Sequence, residues 1–423
     1  MTEPNIGLRK INIVLLIGIF AVGIFLRITP GAFLPGASFH FLAPLHPQPG
    51  WTTIGFDEGL YREYVNALAK NGVSSYPDIV QGYIDVQKNL PGSILPPLRF
   101  LYIFAGYCWH SIFGTDALAA LHQVAALFSV LTLTLATIFI WRMRGSTWAL
   151  AVAALIAVAP TQLHMSQHAL VDGFFTFWAT LTLWLFWENL QVPRNRCWLI
   201  AYIVALAFLI LTKENSFFVW VALVALLIAN RWFEFGTVSR ELVIATILGP
   251  LLGVVVLIFL AGGIDIFVQS YRLSVGKNFQ LPFAVLTGDG PWYRYLVDLM
   301  LVSPIVLILA LGAVFRLNRA MKPEWFMSIF IGASYLIMCN LRYGMNLRYG
   351  NMWDFPLRFL AVGEIIWLAS FAKQFRGAIV AAVVAVLASI EFHQYIVLAV
   401  RYPLYELITH DLLRALKILK TPY

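Results

Sequence analysis

Long apolar runs recur along this 423-residue chain from end to end. Most are about 17 to 25 residues long, the length that crosses the hydrocarbon core of a bilayer as a helix. Apolar and polar residues do not alternate within the runs, which excludes the strands of a membrane barrel. The pattern predicts an all-α polytopic membrane protein with about eleven spans, near residues 11–29, 117–141, 146–163, 171–188, 198–212, 216–230, 242–262, 298–315, 325–339, 357–372 and 377–399.

Composition supports a membrane location and narrows the choice of partners. Hydrophobic residues make up 60% of the chain and charged residues 12%, and the mean hydropathy is +0.79, unlike a soluble domain. The formal net charge of +8 does not indicate nucleic acid, because the lysines and arginines lie beside apolar runs rather than in one basic domain. We expect them to contact membrane lipids. The three cysteines are too scattered to predict disulfides or a metal cluster.

Short basic loops predict the orientation of the spans. One side of the arrangement carries Arg9, Lys10, Arg142, Arg144, Arg194, Arg196, Arg231, Arg240, Arg316, Arg319, Lys322, Lys373 and Arg376. By the positive-inside tendency this side is the cytoplasm, so we expect a plasma (inner) membrane protein with a cytoplasmic N-terminus. Residues 11–28 lack a small-residue cleavage site and are predicted to be a retained span. Residues 94–113 contain Pro96, Pro97 and Arg99, and are predicted to lie in the interface as a juxtamembrane helix.

The long first loop on the non-cytoplasmic side carries an acidic pair, Asp57 and Glu58, at the start of a predicted helix that ends near Asn71. Asp57 and Tyr61 lie on one face of this helix, so an acid heads an aromatic stripe. Two interpretations are open. Asp57 can be the N-cap, without a capping box, while Glu58 pairs with Arg62. Alternatively, the Asp57 carboxylate can accept a proton from an incoming hydroxyl at the membrane surface.

A second constellation contains His164, His168 and Asp172, which stack on one face at successive i+4 steps if the helix is continuous. A divalent metal ion could bind there, with Asp57, Glu58, His168 and Asp172 as possible ligands. For the histidines, the simpler interpretation is a polar turn that caps two spans. Asp172 differs from them, because it opens an apolar span, where an acid is costly unless it is paired or used.

Basic residues outside the cytoplasmic loops form a third signal. Lys213 and Glu214 lie in a turn between two spans, where they can form a local ion pair or hold a phosphate. Other cations lie on the non-cytoplasmic side against the positive-inside tendency: Arg99, Arg272, Lys277, Arg294, Arg342, Arg348 and Arg358. Contact with lipid headgroups explains any one of them. The set favours a bound anionic lipid, because guanidinium groups match phosphate oxygens.

A series of short motifs links the sequence to a known family. The motifs are Asp57-Glu58 with Tyr61, the Pro96-Pro97-Leu98 turn, the loop from Arg142 to Arg144, Pro160 followed by Ser166 and Ala169-Leu170-x-Asp172, Thr212-Lys213-Glu214, and Arg348-Tyr349 before Pro356. In these motifs the chain resembles the phospholipid-carrier-dependent glycosyltransferases of the GT-C fold, which include the protein O-mannosyltransferases and the aminoarabinose transferase of lipid A. The resemblance extends over about residues 8–230. Leu95 departs from it, because family members often have His or Lys there.

The resemblance implies one integral membrane domain over residues 1–423, built as a GT-C-like bundle with juxtamembrane helices in the first outer loop. Residues 8–230 would be the catalytic module, 231–399 a variable membrane module and 400–423 an amphipathic tail. The implied activity is an inverting transfer of a hexosyl or pentosyl group from a polyprenyl-phosphate donor to an acceptor hydroxyl on the non-cytoplasmic face. Asp57 would be the general base and Asp172 the second acid. We expect substrate binding by Glu58, Tyr61, Arg99, His168, Lys213, Arg272, Lys277, Arg342, Arg348 and Arg358.

Two other classes remain as alternatives, a transporter or flippase of lipid-linked sugars and a non-catalytic subunit of a glycan assembly complex. Transporters usually place ionisable residues at mid-membrane in broken helices and often show inverted repeats. Here the acids lie at predicted outer span ends, and no such repeat is visible. A non-catalytic subunit would not need Asp57 and Asp172 to converge. Convergence of these two acids therefore separates the enzyme from its rivals.

Overall fold

The computed structural model describes residues 10–28, 32, 35–47, 55–372, 374–402 and 406–419. The described residues do not include Arg9 and Lys373, which the sequence places in basic loops. They also do not include Pro403 and Lys420, which the sequence places in the amphipathic tail. Within the described ranges the chain is helical, as predicted, and contains no strand. The first ten helices are α1 (Lys10–Arg27), α2 (Phe56–Asn71), α3 (Tyr76–Asn89), α4 (Phe100–Phe113), α5 (Ala117–Arg144), α6 (Ser146–Ala157), α7 (Pro160–Ser166), α8 (Val171–Gln191), α9 (Arg196–Thr212) and α10 (Ser216–Phe233).

The second half of the chain continues the bundle. Its helices are α11 (Arg240–Leu260), α12 (Ile264–Asn278), α13 (Pro282–Thr287), α14 (Arg294–Val302), α15 (Pro304–Phe315), α16 (Lys322–Met338), α17 (Asp354–Ala369), α18 (Arg376–Tyr395) and α19 (His410–Ala415). Short 3₁₀ helices cover His40–Leu45, Val73–Ser75 and Leu347–Trp353, and a π-helical turn, Ile396–Arg401, extends α18. The 3₁₀ helix Leu347–Trp353, directly before α17, contributes residues to the candidate site.

Five of the described helices are long and apolar enough to cross a membrane: α1, α5, α10, α11, and α18 with its π-helical extension. Counting α6 and α7 as one bent span gives six. Each predicted span coincides with a helix or a pair of helices. The multi-pass membrane class is therefore confirmed, whereas the number eleven stays a prediction.

Two predicted spans are interrupted, and both interruptions precede a proline. The span predicted at 146–163 bends by 57° between α6 and α7, which begins at Pro160. The span predicted at 298–315 is divided between α14 and α15, which begins at Pro304. Proline lacks the N–H that would continue a helix but fits its first turn, so each proline starts a new helix.

The α6–α7 bend is held by Arg27 at the end of α1. Its Nη1 and Nη2 donate to the carbonyl oxygens of Ala157 and Ile156, each at 2.9 Å. Its Nε donates to Ser129 Oγ on α5 at 2.8 Å. Carbonyls at the end of a helix lack intrahelical partners, and here a buried guanidinium satisfies two of them. Arg27 thereby joins three helices at the point where the chain turns toward α7.

The chain breaks between α7 and α8, as the separate spans predicted at 146–163 and 171–188 indicate, so the continuous helix that would stack the three polar side chains does not form. Helix α7 ends at Ser166 and α8 begins at Val171, so His164, His168 and Asp172 do not share one helical face. The intervening backbone is held by another part of the chain, because the Ala169 N–H donates to Glu58 Oε1 at 2.7 Å. In a continuous helix this N–H would donate to a backbone carbonyl oxygen instead.

Ion pairs join basic residues at helix ends to acids near the ends of neighbouring helices. Arg142 at the end of α5 contacts Glu188 near the end of α8 at 2.7 Å, and Arg316 after α15 contacts Glu364 near the end of α17 at 2.8 Å. Asp172 begins the same helix that Glu188 helps to end. At 1.5 Å per residue these two acids are about 24 Å apart along α8. The end of α8 that carries Asp172 is therefore opposite the end that pairs with Arg142.

Candidate active site

Helix α2 begins one residue before Asp57, and this fixes how the acidic pair is used. Its N-cap is Gly55, whose N–H donates to Glu58 Oε2 at 2.6 Å. The expectation that Asp57 is the N-cap without a capping box is therefore wrong, because Glu58 occupies the third helical position and reaches back to the cap. Arg62 pairs with Glu63 at 3.0 Å rather than with Glu58. Asp57 remains partly accessible, with 28% of its side chain exposed.

The buried Glu58 carboxylate connects α2 with the segment before α8 through hydrogen bonds. Its two carboxylate oxygens accept from the Gly55 and Ala169 N–H groups, and His168 Nδ1 lies 3.4 Å from Oε1. Burial raises the pKa of Glu58, against the opposing influence of His122 and the two N–H donors. Burial, with Arg348 nearby, lowers the pKa of His168 to about 3. His168 is therefore neutral near neutral pH and adds no positive charge for a phosphate.

Asp172 forms a buried ion pair with Lys213, which follows the last residue of α9. The expected local pair between Lys213 and Glu214 is therefore not the arrangement found, because the two side chains diverge to different partners. Lys213 Nζ also lies 4.1 Å from the centre of the Tyr349 ring, a cation–π contact. Burial lowers the pKa of Lys213 and the adjacent Asp172 opposes that change. Tyr349 thus covers the ion pair.

Arg348 connects this ion pair with Asp57. Its Nη1 lies 3.5 Å from Asp57 Oδ2 and its Nη2 lies 3.3 Å from Glu406 Oε1. Arg348 is held in the 3₁₀ helix Leu347–Trp353, which Asn346 caps by accepting from the Arg348 N–H at 2.9 Å. Arg348 therefore contacts Asp57, and the next residue, Tyr349, contacts Lys213.

A second ion pair borders this group. Arg99 Nε donates to Glu214 Oε2 at 3.1 Å, and Arg99 Nη1 donates to the Tyr61 hydroxyl at 2.9 Å. Burial raises the pKa of Tyr61 against the opposing effect of Arg99, so its hydroxyl remains protonated. Arg99, Tyr61 and Glu214 join the first outer loop to the turn that carries Lys213.

Other predicted binding residues have partners elsewhere. Lys277 Nζ donates to the carbonyl oxygens of Gln87 and Leu90, each at 2.6 Å, and so holds the end of α3. Arg358 is fully buried and pairs with Asp354 and Glu391 at 3.0 and 2.8 Å. Arg272 and Arg342 are exposed. The structure therefore concentrates the candidate site on a smaller set of residues: Asp57, Tyr61, Arg99, Asp172, Lys213 and Arg348.

The possible metal ligands do not form a cation site in this arrangement. Both Glu58 oxygens accept from backbone N–H groups, and Asp172 is paired with Lys213. Within the described residues, no group of three or more His, Cys, Asp or Glu side chains is arranged to hold a metal ion.

Glu406 is a site residue that sequence reasoning missed. It lies in the predicted amphipathic tail, yet it contacts Arg348, and its Oε2 accepts from Asn346 Nδ2 at 3.1 Å. Together with Arg294, Asp298 and other residues it lines a cavity of about 10 Å³ beside Arg348, which is close to the minimum for one water molecule. An isolated acid in an outer tail gives no sequence signal that it points inward.

Comparison with known proteins agrees with this architecture. A family model described as dolichyl-phosphate-mannose-protein mannosyltransferase matches residues 102–271. Ligand-free ArnT from Cupriavidus metallidurans is 16% identical, with a TM-score of 0.54 and coverage of 91% of this chain and 75% of ArnT. ArnT bound to undecaprenyl phosphate is also 16% identical, with a TM-score of 0.57 and coverage of 91% and 76%. No curated protein sequence matches the chain significantly.

A second enzyme has a related structure. The oligosaccharyltransferase of Archaeoglobus fulgidus in its apo form is 14% identical, with a TM-score of 0.62, and the match covers 91% of this chain but 55% of the archaeal chain. At these identities the similarity shows a shared fold. The resemblance to lipid-phosphate-dependent glycosyltransferases of the GT-C fold is confirmed, and the chain has a GT-C-like helical bundle.

Proposed function

We propose that this chain is a membrane glycosyltransferase that moves a sugar from a polyprenyl-phosphate donor to an acceptor hydroxyl. The family match and the GT-C-like fold support the class, and similar structures hold undecaprenyl phosphate in ArnT and a dolichol-phosphate in archaeal AglB. The observation that carries the proposal is the contact series from Asp57 through Arg348 and Tyr349 to the Lys213–Asp172 pair. Two acids remote along the chain thereby flank cations suited to a phosphate.

In the proposed reaction Asp57 is the general base. Its carboxylate accepts the proton of the acceptor hydroxyl while the hydroxyl oxygen attacks the anomeric carbon. The bond between that carbon and the phosphate oxygen breaks, its electron pair leaves with the lipid phosphate, and the configuration inverts. Asp57 suits this role because it is partly accessible, whereas Asp172 is buried against Lys213. Asp172 instead holds Lys213 beneath Tyr349.

Charge on the departing phosphate needs stabilisation, and Arg348 is the best-placed cation. Its guanidinium contacts the proposed base, so a phosphate bound to it would leave close to the reacting hydroxyl. Guanidinium groups bind phosphate oxygens through two donors at once, and such preorganised donors stabilise developing negative charge. Lys213 contacts the ring of the next residue, Tyr349, and adds positive potential.

The proposed reaction takes place on the non-cytoplasmic face. The candidate site lies at the end of α8 that carries Asp172, and the basic loops assigned to the cytoplasm lie at its other end. The positive-inside tendency then supports an outward-facing site. A lipid-linked donor reaches such a site from the outer leaflet.

Incubation of the purified full chain, reconstituted in liposomes, with a panel of polyprenyl-phosphate sugars tests this function. We expect release of lipid phosphate with at least one donor, and faster release when a hydroxyl acceptor is supplied. Liposomes without protein and reactions with free nucleotide sugars serve as controls. Movement of a lipid-linked sugar across the bilayer without release of lipid phosphate from any donor would favour the transporter alternative and contradict the proposal.

A further inference from the structure

The inward contact of Glu406 places an acid where the proposed donor phosphate would bind. Glu406 Oε1 lies 3.3 Å from Arg348 Nη2, and 16% of the Glu406 side chain is exposed. Its Oε2 accepts from Asn346 Nδ2 at 3.1 Å, the same residue that caps the 3₁₀ helix of Arg348. Glu406 is therefore bound both to the guanidinium and to the residue that positions it.

Each of the three cations in the candidate site, Arg99, Lys213 and Arg348, contacts a carboxylate in the described structure. Lys213 pairs with Asp172, Arg99 pairs with Glu214, and Arg348 contacts both Asp57 and Glu406. The cavity beside Arg348, about 10 Å³, holds no more than about one water. Because Asp57 and Glu406 lie against the two Nη atoms of Arg348, a phosphate that binds both of these atoms replaces at least one carboxylate.

Glu406 is the carboxylate that moves most easily. Asp57 lies in the first turn of a 16-residue helix whose start is fixed by Glu58, and Asp172 lies in a buried ion pair. Glu406 instead precedes a helix of only six residues, α19, in an otherwise irregular segment. Segments with little regular structure open at lower free-energy cost than helices in the core.

We propose that Glu406 is a resident carboxylate that pairs with Arg348 when no donor is bound and that the lipid phosphate displaces it. This inference rests on the proposed function and adds an exchange of anions at its site. The guanidinium then has an anionic partner before binding, during the reaction and after release of the lipid phosphate. An unpartnered buried charge is costly, so the exchange avoids one at each stage. It also weakens donor binding, because the phosphate competes with a tethered acid.

Binding of polyprenyl phosphate without a sugar to Glu406→Gln tests the competition. Glutamine preserves the shape of the side chain but removes its charge, so we expect affinity to rise on the order of 5-fold, the lower end of typical coupling between sites. Asp411→Asn is the matched control, because Asp411 is an exposed acid in the same segment. Its affinity should equal that of the unsubstituted chain, and uncharged polyprenol should show no gain with either variant. Unchanged or weaker binding of the phosphate to Glu406→Gln overturns the inference.

Hydrogen–deuterium exchange on the unsubstituted full chain provides a test that does not depend on the variant's folding. Polyprenyl phosphate should increase exchange in residues 406–419 and decrease it in residues 346–353. Increased protection of residues 406–419 would show that the segment closes over the lipid, contrary to displacement.

The binding and exchange measurements require no turnover, so the two proposals can fail separately. If the chain transfers sugar but its Glu406→Gln variant shows no gain in phosphate affinity, the anion exchange is contradicted and the glycosyltransferase function is not. A gain in affinity, in a chain that releases lipid phosphate from no donor, would support the exchange while contradicting the glycosyltransferase function.

Discussion

Arg348 is the residue at which the two halves of the candidate site meet. Its guanidinium contacts Asp57 and Glu406, while its neighbour Tyr349 lies against Lys213. The sequence identified Arg348 as one of several outer-face cations and, with Tyr349, as part of a motif before Pro356. Arg342 lies six positions earlier in an identical Asn-Leu-Arg-Tyr-Gly segment but is exposed, and the folded chain shows that Arg348 is the copy that contacts acids of the candidate site.

Replacement of Arg348 by alanine should weaken binding of polyprenyl phosphate by about tenfold or more, because a charge-assisted contact with phosphate contributes roughly 1.5–3 kcal/mol. Asp57 and Glu406, the two carboxylates that contact Arg348, would also repel the phosphate once the cation is removed. Removal of this buried guanidinium also leaves Asp57 and Glu406 without a cation that contacts them, so thermal stability should fall as well, and binding is compared at a temperature at which the variant is folded. Equilibrium binding with Arg342→Ala as the matched control measures this, and equal affinity of both variants would remove Arg348 from the donor site.

At the scale of helices, Glu58 aligns the proposed base with the segment before α8. It satisfies the Gly55 N–H at the start of α2 and the Ala169 N–H ahead of α8. Asp57 precedes Glu58 directly, so the orientation of the proposed base depends on this tie. The sequence predicts the end of α2 near Asn71 and a gap between the spans at 146–163 and 171–188, whereas the hydrogen bond from the Ala169 N–H to Glu58 joins distant parts of the chain and could not be predicted.

Glu58→Ala should lower the free energy of unfolding by roughly 3 kcal/mol, because two buried N–H groups lose a charged acceptor. Sugar transfer should fall as well, since the start of α2 and the segment at Ala169 would separate. Thermal unfolding in detergent measures the stability. Glu63→Ala, an exposed position on the same helix, is the control and should melt with the unsubstituted chain. A Glu58→Ala variant as stable as this control would contradict the structural role of Glu58.

At the scale of the whole molecule, the distribution of charged residues predicts more of the structure than the short motifs do. The basic loops are predicted to mark one end of the bundle, and Arg142 and Arg316 each pair with an acid near the end of another helix. The helical class follows from the sequence. The roles of Arg358, Lys277 and Glu406 do not, because each depends on which distant helix or segment packs against it.

The native Cys197 offers a test of the predicted orientation. It is exposed near the start of α9, at the end opposite Lys213, so it should face the cytoplasm. An impermeant maleimide added outside right-side-out vesicles should leave Cys197 unlabelled and label Asp85→Cys on the outer helix α3. Permeabilised vesicles should label both positions, and Cys197→Ser identifies the native signal. Labelling of Cys197 from outside would place the candidate site on the cytoplasmic face.

The role of Asp57 is tested most directly by single-turnover sugar transfer in Asp57→Asn with the donor already bound. Asparagine cannot accept the hydroxyl proton, so the rate should fall on the order of 10²–10⁴-fold while binding of polyprenyl phosphate and thermal stability are retained. Asp78→Asn, in the first turn of the neighbouring helix α3, is the matched control and should transfer sugar at the original rate. Transfer by Asp57→Asn at the rate of this control would contradict the account.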